Sequence, residues 1–315
     1  MKILGFDIGG TKCAVILATW NGEKIEIVRK EKCPTDFSIS AEEMIKRLIN
    51  KADAILDEPI DKIGISCGGP LDSARGVILS PPNLPGWDEV KISDLVEAHY
   101  GIRPILQNDA NASAVAEWKF GAARGAKNAV FFTFGTGLGA GLILNGNLYE
   151  GTNGNAGEAG HIRLEKNGPI GYGKAGSFEG FCSGAGIAKL GYDMAMESID
   201  KGIYPSFFPK GADKSVINAK AIADAAHDGD ECAIAVYRTC GEYLGRGLSI
   251  IIDILNPEVI VIGGVFARST DLIWPYAKLE IEKEALAPSV KCCRVIPAEL
   301  GEQIGDYAAI ATALL

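Results

Sequence analysis

The chain has 315 residues, 47% apolar and 23% charged, with a formal net charge of −9. Apolar content of this order fills two cores and excludes a disordered chain. The acidic balance disfavours non-specific nucleic-acid binding, which rests on neutralising phosphates, and the longest apolar runs fall far short of the roughly 18 residues that cross a bilayer.

The first residues read as a strand, a glycine turn and a second strand: Ile3-Leu4-Gly5-Phe6, Asp7-Ile8-Gly9-Gly10-Thr11-Lys12, then Cys13-Ala14-Val15-Ile16-Leu17. No long apolar stretch with a small-residue cleavage site opens the chain, so a cytoplasmic protein without a signal peptide is expected. The eight cysteines include no Cys-x-x-Cys pair and are expected to be reduced, mostly as small core residues. Asn21-Gly22 is a turn signal after which residues 24–30 read as a strand. Apolar residues at 41, 44, 45, 48, 49, 52, 55 and 56 mark a helix over 40–56, with Ser40 and Glu43 as a capping box. Ile63-Gly64-Ile65-Ser66-Cys67 is a short buried strand ending in Gly68-Gly69-Pro70, and Asn83-Leu84-Pro85-Gly86-Trp87 is a loop. Residues 110–120 read as a helix with Asn108 and Asp109 at its N-terminal edge.

A weak internal echo follows. Thr133-Phe134-Gly135-Thr136-Gly137-Leu138-Gly139-Ala140 aligns with residues 7–14, and each glycine turn lies between apolar runs and precedes an Asn-Gly pair, Asn21-Gly22 or Asn145-Gly146. Further on, 218–226 and 232–255 read as helices, the second ending at Asn256-Pro257. Val259-Ile260-Val261-Ile262 is a strand running into Gly263-Gly264. A last helix over about 304–315 is expected to pack back on the first lobe.

The run from Gly135 to Gly141 has the spacing of a dinucleotide fingerprint without its context. Leu142-Ile143-Leu144-Asn145-Gly146 follows as strand and turn, where that fingerprint needs a helix. No Gly-Lys-Ser/Thr closes a Walker loop either. What remains is a hairpin turn whose backbone N–H groups can approach an anion, with the Thr11 and Thr136 hydroxyls and the Lys12 ammonium as added donors. One such hairpin is more often structural. Two of them, with a third strand-Gly-Gly, point to nucleotide binding.

Asp7-x-Gly9-Gly10-Thr11-Lys12, the 135–141 run and Ile262-Gly263-Gly264 together resemble the sugar kinase, heat-shock protein and actin superfamily. Adding Gly68-Gly69-Pro70-Leu71, the 83–87 loop, Asn108-Asp109-Ala110-Asn111 and Gly157-Glu158-Ala159-Gly160-His161, the chain from about 3 to 312 resembles the ROK family (repressors, open reading frames and sugar kinases). The resemblance implies an α/β, ribonuclease H-like fold of two lobes around a cleft. The smaller lobe would span 1–118 plus about 301–315, the larger 119–300. It implies an ATP-dependent, glucokinase-like enzyme that phosphorylates a hexose hydroxyl, the 6-position first, as a homodimer; from the acidic balance and the short apolar runs, no nucleic-acid or membrane partner is expected. ATP would lie on Gly9, Gly10, Thr11, Lys12, Gly135, Thr136, Gly137 and Gly139, with adenosine near Gly263 and Gly264. The sugar would meet Gly69, Asn83, Asn108, Asp109, Glu158, His161 and Glu179, and Asp7 would hold Mg²⁺ through water.

A hydroxyl is a poor nucleophile at neutral pH, and a carboxylate within reach can take its proton, a contribution of roughly 10²- to 10⁴-fold. Asp109 is the candidate base; outside this context an Asn-Asp pair before a helix would be read as a cap. Asn108 can donate to and accept from adjacent sugar hydroxyls. Lys12 is open between a phosphate contact and a solvated charge. Glu158, His161 and Glu179 would read hydroxyls on the far side of the ring.

One segment departs from the family. Zinc-containing members carry Cys-x-Cys-Gly-x-x-Gly-Cys-x-Glu after the histidine; aligned on Glu179, the cysteine positions hold Ile170, Tyr172 and Ser177, with Gly171, Gly173 and Gly176 beside them. Isoleucine has no ligating atom and structural zinc takes four ligands, so no structural zinc is expected. Packing through Tyr172 and Phe178 would then hold the loop, whose altered shape would change the sugar accepted. The competing functions are a sugar-sensing regulator, for which no helix-turn-helix fits ahead of Asp7, and a non-catalytic sugar-binding protein. The sugar itself and a polyphosphate donor stay open.

Overall fold

The computed structural model describes residues 1–315, and the apolar N-terminal run builds its first sheet. β1 (Lys2–Ile8) pairs antiparallel with β2 (Lys12–Trp20), and β2 with β3 (Ile25–Pro34). The Asn21 side chain accepts from the Glu23 and Lys24 N–H groups and so closes the turn between β2 and β3. α1 (Ala41–Ile55) starts at the reciprocal Ser40–Glu43 capping box and buries Met44, Ile45, Leu48 and Ile49. β4 (Lys62–Cys67) lies parallel to β1 on its other side. A small hairpin of β5 (Leu71–Asp72) and β6 (Val77–Ile78) precedes α2 (Ile92–Tyr100), and β7 (Ile105–Asn108) completes the order β3-β2-β1-β4-β7. α3 (Asp109–Phe120) follows directly. β7 escapes a hydrophobicity reading because Gln107 and Asn108 make up half of it.

The chain then builds a second sheet. β8 (Ala129–Phe134) is followed, after the 135–137 turn, by β9 (Leu138–Leu144). β9 begins earlier than its apolar run at 142–144, so Gly139 and Gly141 lie inside the strand. Gly141 is required there: a Cβ would sit 2.6 Å from Ala114 Cβ of α3. Asn145 and Gly146, at φ 53° and 75°, turn β9 into β10 (Asn147–Leu148). β11 (Ile170–Gly171) and β12 (Lys174–Ala175) form a hairpin before α4 (Phe178–Phe181), α5 (Gly184–Ile199), α6 (Ala219–His227) and α7 (Glu231–Leu255). β13 (Val259–Ile262) pairs parallel with β8 and leads into α8 (Gly264–Arg268), α9 (Thr270–Glu284) and α10 (Ala287–Cys292). β14 (Arg294–Pro297) lies parallel to β13. α9 is invisible to a pattern search because Pro275 interrupts it.

α11 (Ile304–Thr312) returns to the first sheet and covers β1 and β4. The approach is close enough that a Cβ on Gly5 would lie 3.0 Å from Ala309 Cβ, and one on Gly64 would collide with the Ala309 carbonyl oxygen. Contacts divide the chain into one unit of Met1–Ala126, Gly141–Ala156 and Glu299–Leu315, and a second of Lys127–Ala140 and Gly157–Ala298. Residues 119–126 and 141–156 thus fall in the first unit, unlike in the division expected at 118/119. Within that unit Gly141 packs closely on α3, and the Glu150 carboxylate accepts from Ser73 Oγ and Gln107 Nε2 at 2.7 Å each. No helix is long and apolar enough to cross a membrane.

Candidate functional site

In the first unit, the candidate residues gather at the C-terminal ends of β1, β4 and β7. Asp7 nears the end of β1, with its Oδ2 2.8 Å from where a Cβ on Gly305 would stand, in the first turn of α11. Burial, with Asp306 next, pushes the Asp7 carboxyl up to about 6, against the pull of Lys30. Asp306 is itself buried and ion-paired with Lys30. Sequence reasoning missed this pair, whose members lie 276 residues apart and carry no motif.

The 9–12 turn is closed by the Gly9 N–H donating to the Lys12 carbonyl at 3.2 Å, and Thr35 Oγ1 donates to the Gly9 carbonyl at 2.5 Å. A Cβ on Gly10 would collide with the Asn83 carbonyl, and one on Gly68 would lie 3.1 Å from Asn83 Nδ2. The fold therefore brings Gly10, Gly68, neighbouring Gly69 and Asn83 together. Buried Leu84 and Trp87 anchor the loop, while Asn83, Thr11 and Lys12 stay exposed.

Asn108 is both the last residue of β7 and the N-cap of α3, its Oδ1 accepting the Asn111 N–H at 2.8 Å. Its NH₂ is the group left to donate to a ligand. Capping thus falls to Asn108, and Asp109 is the first helical residue. Surrounding protein raises the Asp109 carboxyl above its ordinary range, opposed by the N–H groups of Ala110 and Asp109, although solvent still reaches the residue.

In the second unit, the Gly135 and Thr136 carbonyls accept from the Gly184 and Ala185 N–H groups at 2.7 and 3.3 Å, at the start of α5. A trans peptide points its N–H opposite its C=O, so the Thr136 and Gly137 N–H groups face away from α5 side by side. Two adjacent amides on a glycine turn are the elements of an anion nest. The next two amides are taken: Leu138 N–H by Glu179 Oε2 at 2.9 Å and Gly139 N–H by Thr133 Oγ1 at 3.0 Å. Glu179 therefore braces the glycine turn, which its place in the sequence did not suggest. Gly264, at φ +63°, fits where a Cβ would collide with the Phe134 carbonyl, so Gly263 and Gly264 lie against the start of the same turn.

Glu158 precedes a short 3₁₀ turn, Ala159–His161, which His161 ends, and both are exposed. In the cysteine-free loop, Ser177 caps α4 through the Gly180 N–H at 3.1 Å. Phe178 is fully buried against Phe132 and Gly247, and Phe181 stacks on Tyr243 at 3.5 Å. Tyr172 does not share that work. It is 77% exposed, because the turn between β11 and β12 carries it outward. No group of three or more His, Cys, Asp or Glu side chains is placed to hold a metal by itself.

Residues 3–314 match the ROK family model. The chain is 31% identical over 310 residues to a glucokinase of Thermotoga maritima, covering 97% of this chain and 95% of that one. A ROK family glucokinase from Streptomyces griseus, solved in complex with glucose and AMPPNP, superposes with a TM-score of 0.79 at 28% identity, over 100% of this chain and 99% of that one. A ROK family transcriptional regulator, a homologue of the E. coli MLC protein, superposes with a TM-score of 0.83 at 26% identity, over 99% of this chain and 78% of that one.

Proposed function

This chain belongs to the ROK family, and from that premise we propose that this sugar kinase moves the γ-phosphoryl group of ATP to the 6-hydroxyl of a hexose, with Asp109 taking the hydroxyl proton. The α/β fold is that of the sugar kinase, heat-shock protein and actin class. The observation that carries the reading is Asp109: Asn108 does the capping, and the carboxyl beside it is held above its ordinary range. A base works best with a pKa nearer the working pH, and the raised carboxyl moves in that direction.

In this reading the Thr136 and Gly137 N–H groups and the 9–12 turn take phosphate oxygens, and Gly263 and Gly264 border the adenosine. The Asn108 NH₂ donates to the hydroxyl next to the one that reacts, fixing its direction of attack. Gly69, Asn83, Glu158, His161 and Glu179 are the residues assigned to the rest of the sugar.

Asp7 fits Mg²⁺. It offers hard carboxylate oxygens, and the three carboxylates Asp7, Asp109 and Asp306 outnumber the cations Lys30 and Lys12, an excess that a divalent cation would offset. When bound, the ion supplies charge neutralisation on the phosphoryl oxygens. Since no group of three or more His, Cys, Asp or Glu side chains is placed at Asp7 to hold a metal, water and phosphate would complete the ion's shell.

The test is ADP release with Mg-ATP across hexoses, amino sugars and β-glucosides, with Asp109→Asn beside the parent. Sugar-dependent release that falls by roughly 10²- to 10⁴-fold in the variant is expected. Sugar binding without turnover on any acceptor would instead favour a sugar-sensing regulator, the second reading, which the likeness to the transcriptional regulator supports.

A further inference from the structure

The turn between β11 and β12 uses a residue that its geometry disfavours. Tyr172 and Gly173 have φ 43° and 75°, both positive, as a two-residue type I′ turn requires. The same chain makes the same kind of turn at 145–146 with Asn-Gly, the preferred pair, at φ 53° and 75°. Tyrosine is strained in this region of the backbone map, and here it gains no burial in return, since it is 77% exposed. Ile170 on the same hairpin is 65% exposed. The protein buries little of the Tyr172 ring.

What the ring does have is a fixed place beside His161. The two ring centroids lie 6.3 Å apart with planes at 78°, forming a corner. Three bonds tie the hairpin to the His161 segment: Lys174 Nζ to the His161 carbonyl at 2.7 Å, Arg163 to the Ala175 carbonyl at 2.7 Å, and the Leu164 N–H to the Gly176 carbonyl at 2.9 Å. Tyr172 therefore stands beside a side chain proposed to read sugar hydroxyls, with its own ring left exposed.

We infer that Tyr172 is a specificity-determining residue of the sugar site: its ring packs on a ring joined to the hexose, so that the acceptor class is a glycoside. The inference rests on the proposal that His161 faces the sugar. A flat, apolar and rigid side chain at this corner covers an aryl group or the C–H face of a second sugar at low entropic cost. A free hexose held by Glu158 and His161 would leave it uncovered.

The experiment compares glucose, both anomers of phenyl glucoside, and cellobiose as acceptors for the parent, Tyr172→Asn and Tyr172→Phe. Asparagine is the residue the turn prefers, so the Tyr172→Asn variant is expected to melt at or above the parent's temperature, which separates a lost contact from a lost fold. At least one glycoside is expected to match or exceed glucose in kcat/KM. Tyr172→Asn is expected to lower that value at least tenfold more for the glycoside than for glucose, and Tyr172→Phe to restore it. The inference is overturned if the parent phosphorylates glucose but rejects every glycoside, or if Tyr172→Asn lowers both acceptors equally. If no sugar is phosphorylated, the kinase reading fails separately, and calorimetric titration with the same sugars decides. Glycoside affinity lost selectively in Tyr172→Asn upholds the contact; equal affinities, or no binding, overturn it.

Discussion

Glu117→Gln tests how the C-terminal segment is held in place. Glu117 is fully buried near the end of α3, where a glutamate is expected to face solvent. Its Oε1 accepts the Leu300 N–H at 2.9 Å, and its Oε2 accepts the Ala122 and Glu299 N–H groups at 2.7 and 3.3 Å. Glutamine has the same shape but puts an NH₂ where one oxygen stood. Whichever way the amide turns, at least one backbone N–H then faces a donor. An orphaned buried donor costs about 1–3 kcal/mol, and the two remaining bonds each lose roughly 0.5–1 kcal/mol of charge assistance. Relief from burying a charge offsets part of this, leaving about 2–4 kcal/mol. For a folding unit of this size each kcal/mol moves the melting temperature by about 2–4 °C. Thermal unfolding followed by circular dichroism should therefore show a fall of roughly 5–15 °C. Activity should fall as well, since Leu300 leads into the turn of α11 that carries Gly305 beside Asp7. A fall of less than about 2 °C would refute the argument that this carboxylate pins the segment.

The Asp7 carboxyl, raised to about 6 from an ordinary 3.8, keeps its proton in the folded state over a pH range where the unfolded chain has lost it. Stability from this group is therefore greatest at low pH and is lost as pH rises through about 4 to 6. Asp7→Asn should raise the melting temperature at pH 8 and not at pH 4, by an amount within about 3 kcal/mol, while reducing Mg-ATP turnover; thermal scans at both pH values check the first part and ADP release the second. Gly137→Ala places a Cβ 2.6 Å from Glu179 Oε2, which must move and release the Leu138 N–H. A rise of about tenfold in KM for ATP, with a smaller change in melting temperature, is expected from steady-state kinetics, since one misplaced donor costs roughly 1.4 kcal/mol.

The local features were legible because their causes lie within a few residues. The Ser40–Glu43 box and the apolar spacing after it specify α1, and the Asn-Gly pairs at 21–22 and 145–146 specify turns through φ > 0. Family membership was legible for a related reason: short glycine motifs in a fixed order survive as text. The position of Asp109 could be read from its neighbours, yet that Asn108 takes the capping role needed the backbone angles of residue 108.

Other features depend on partners distant in the chain. Glu117 reads as an ordinary helical glutamate until residues 299 and 300, more than 180 positions away, deliver their N–H groups to it. Lys30 reads as a charge on an edge strand until α11 brings Asp306 to it. Glu179 reads as a sugar contact alone until the β8–β9 turn gives it the Leu138 N–H as well, and Tyr172 reads as packing until its turn carries it out to solvent. The sequence by itself determined the elements, their caps and turns, and the order of the motifs, because those follow from bonds between near neighbours. The tertiary structure alone decided which carboxylates are raised, which amides are spent and which ring is left uncovered, because burial and charge depend on what the folded chain brings alongside.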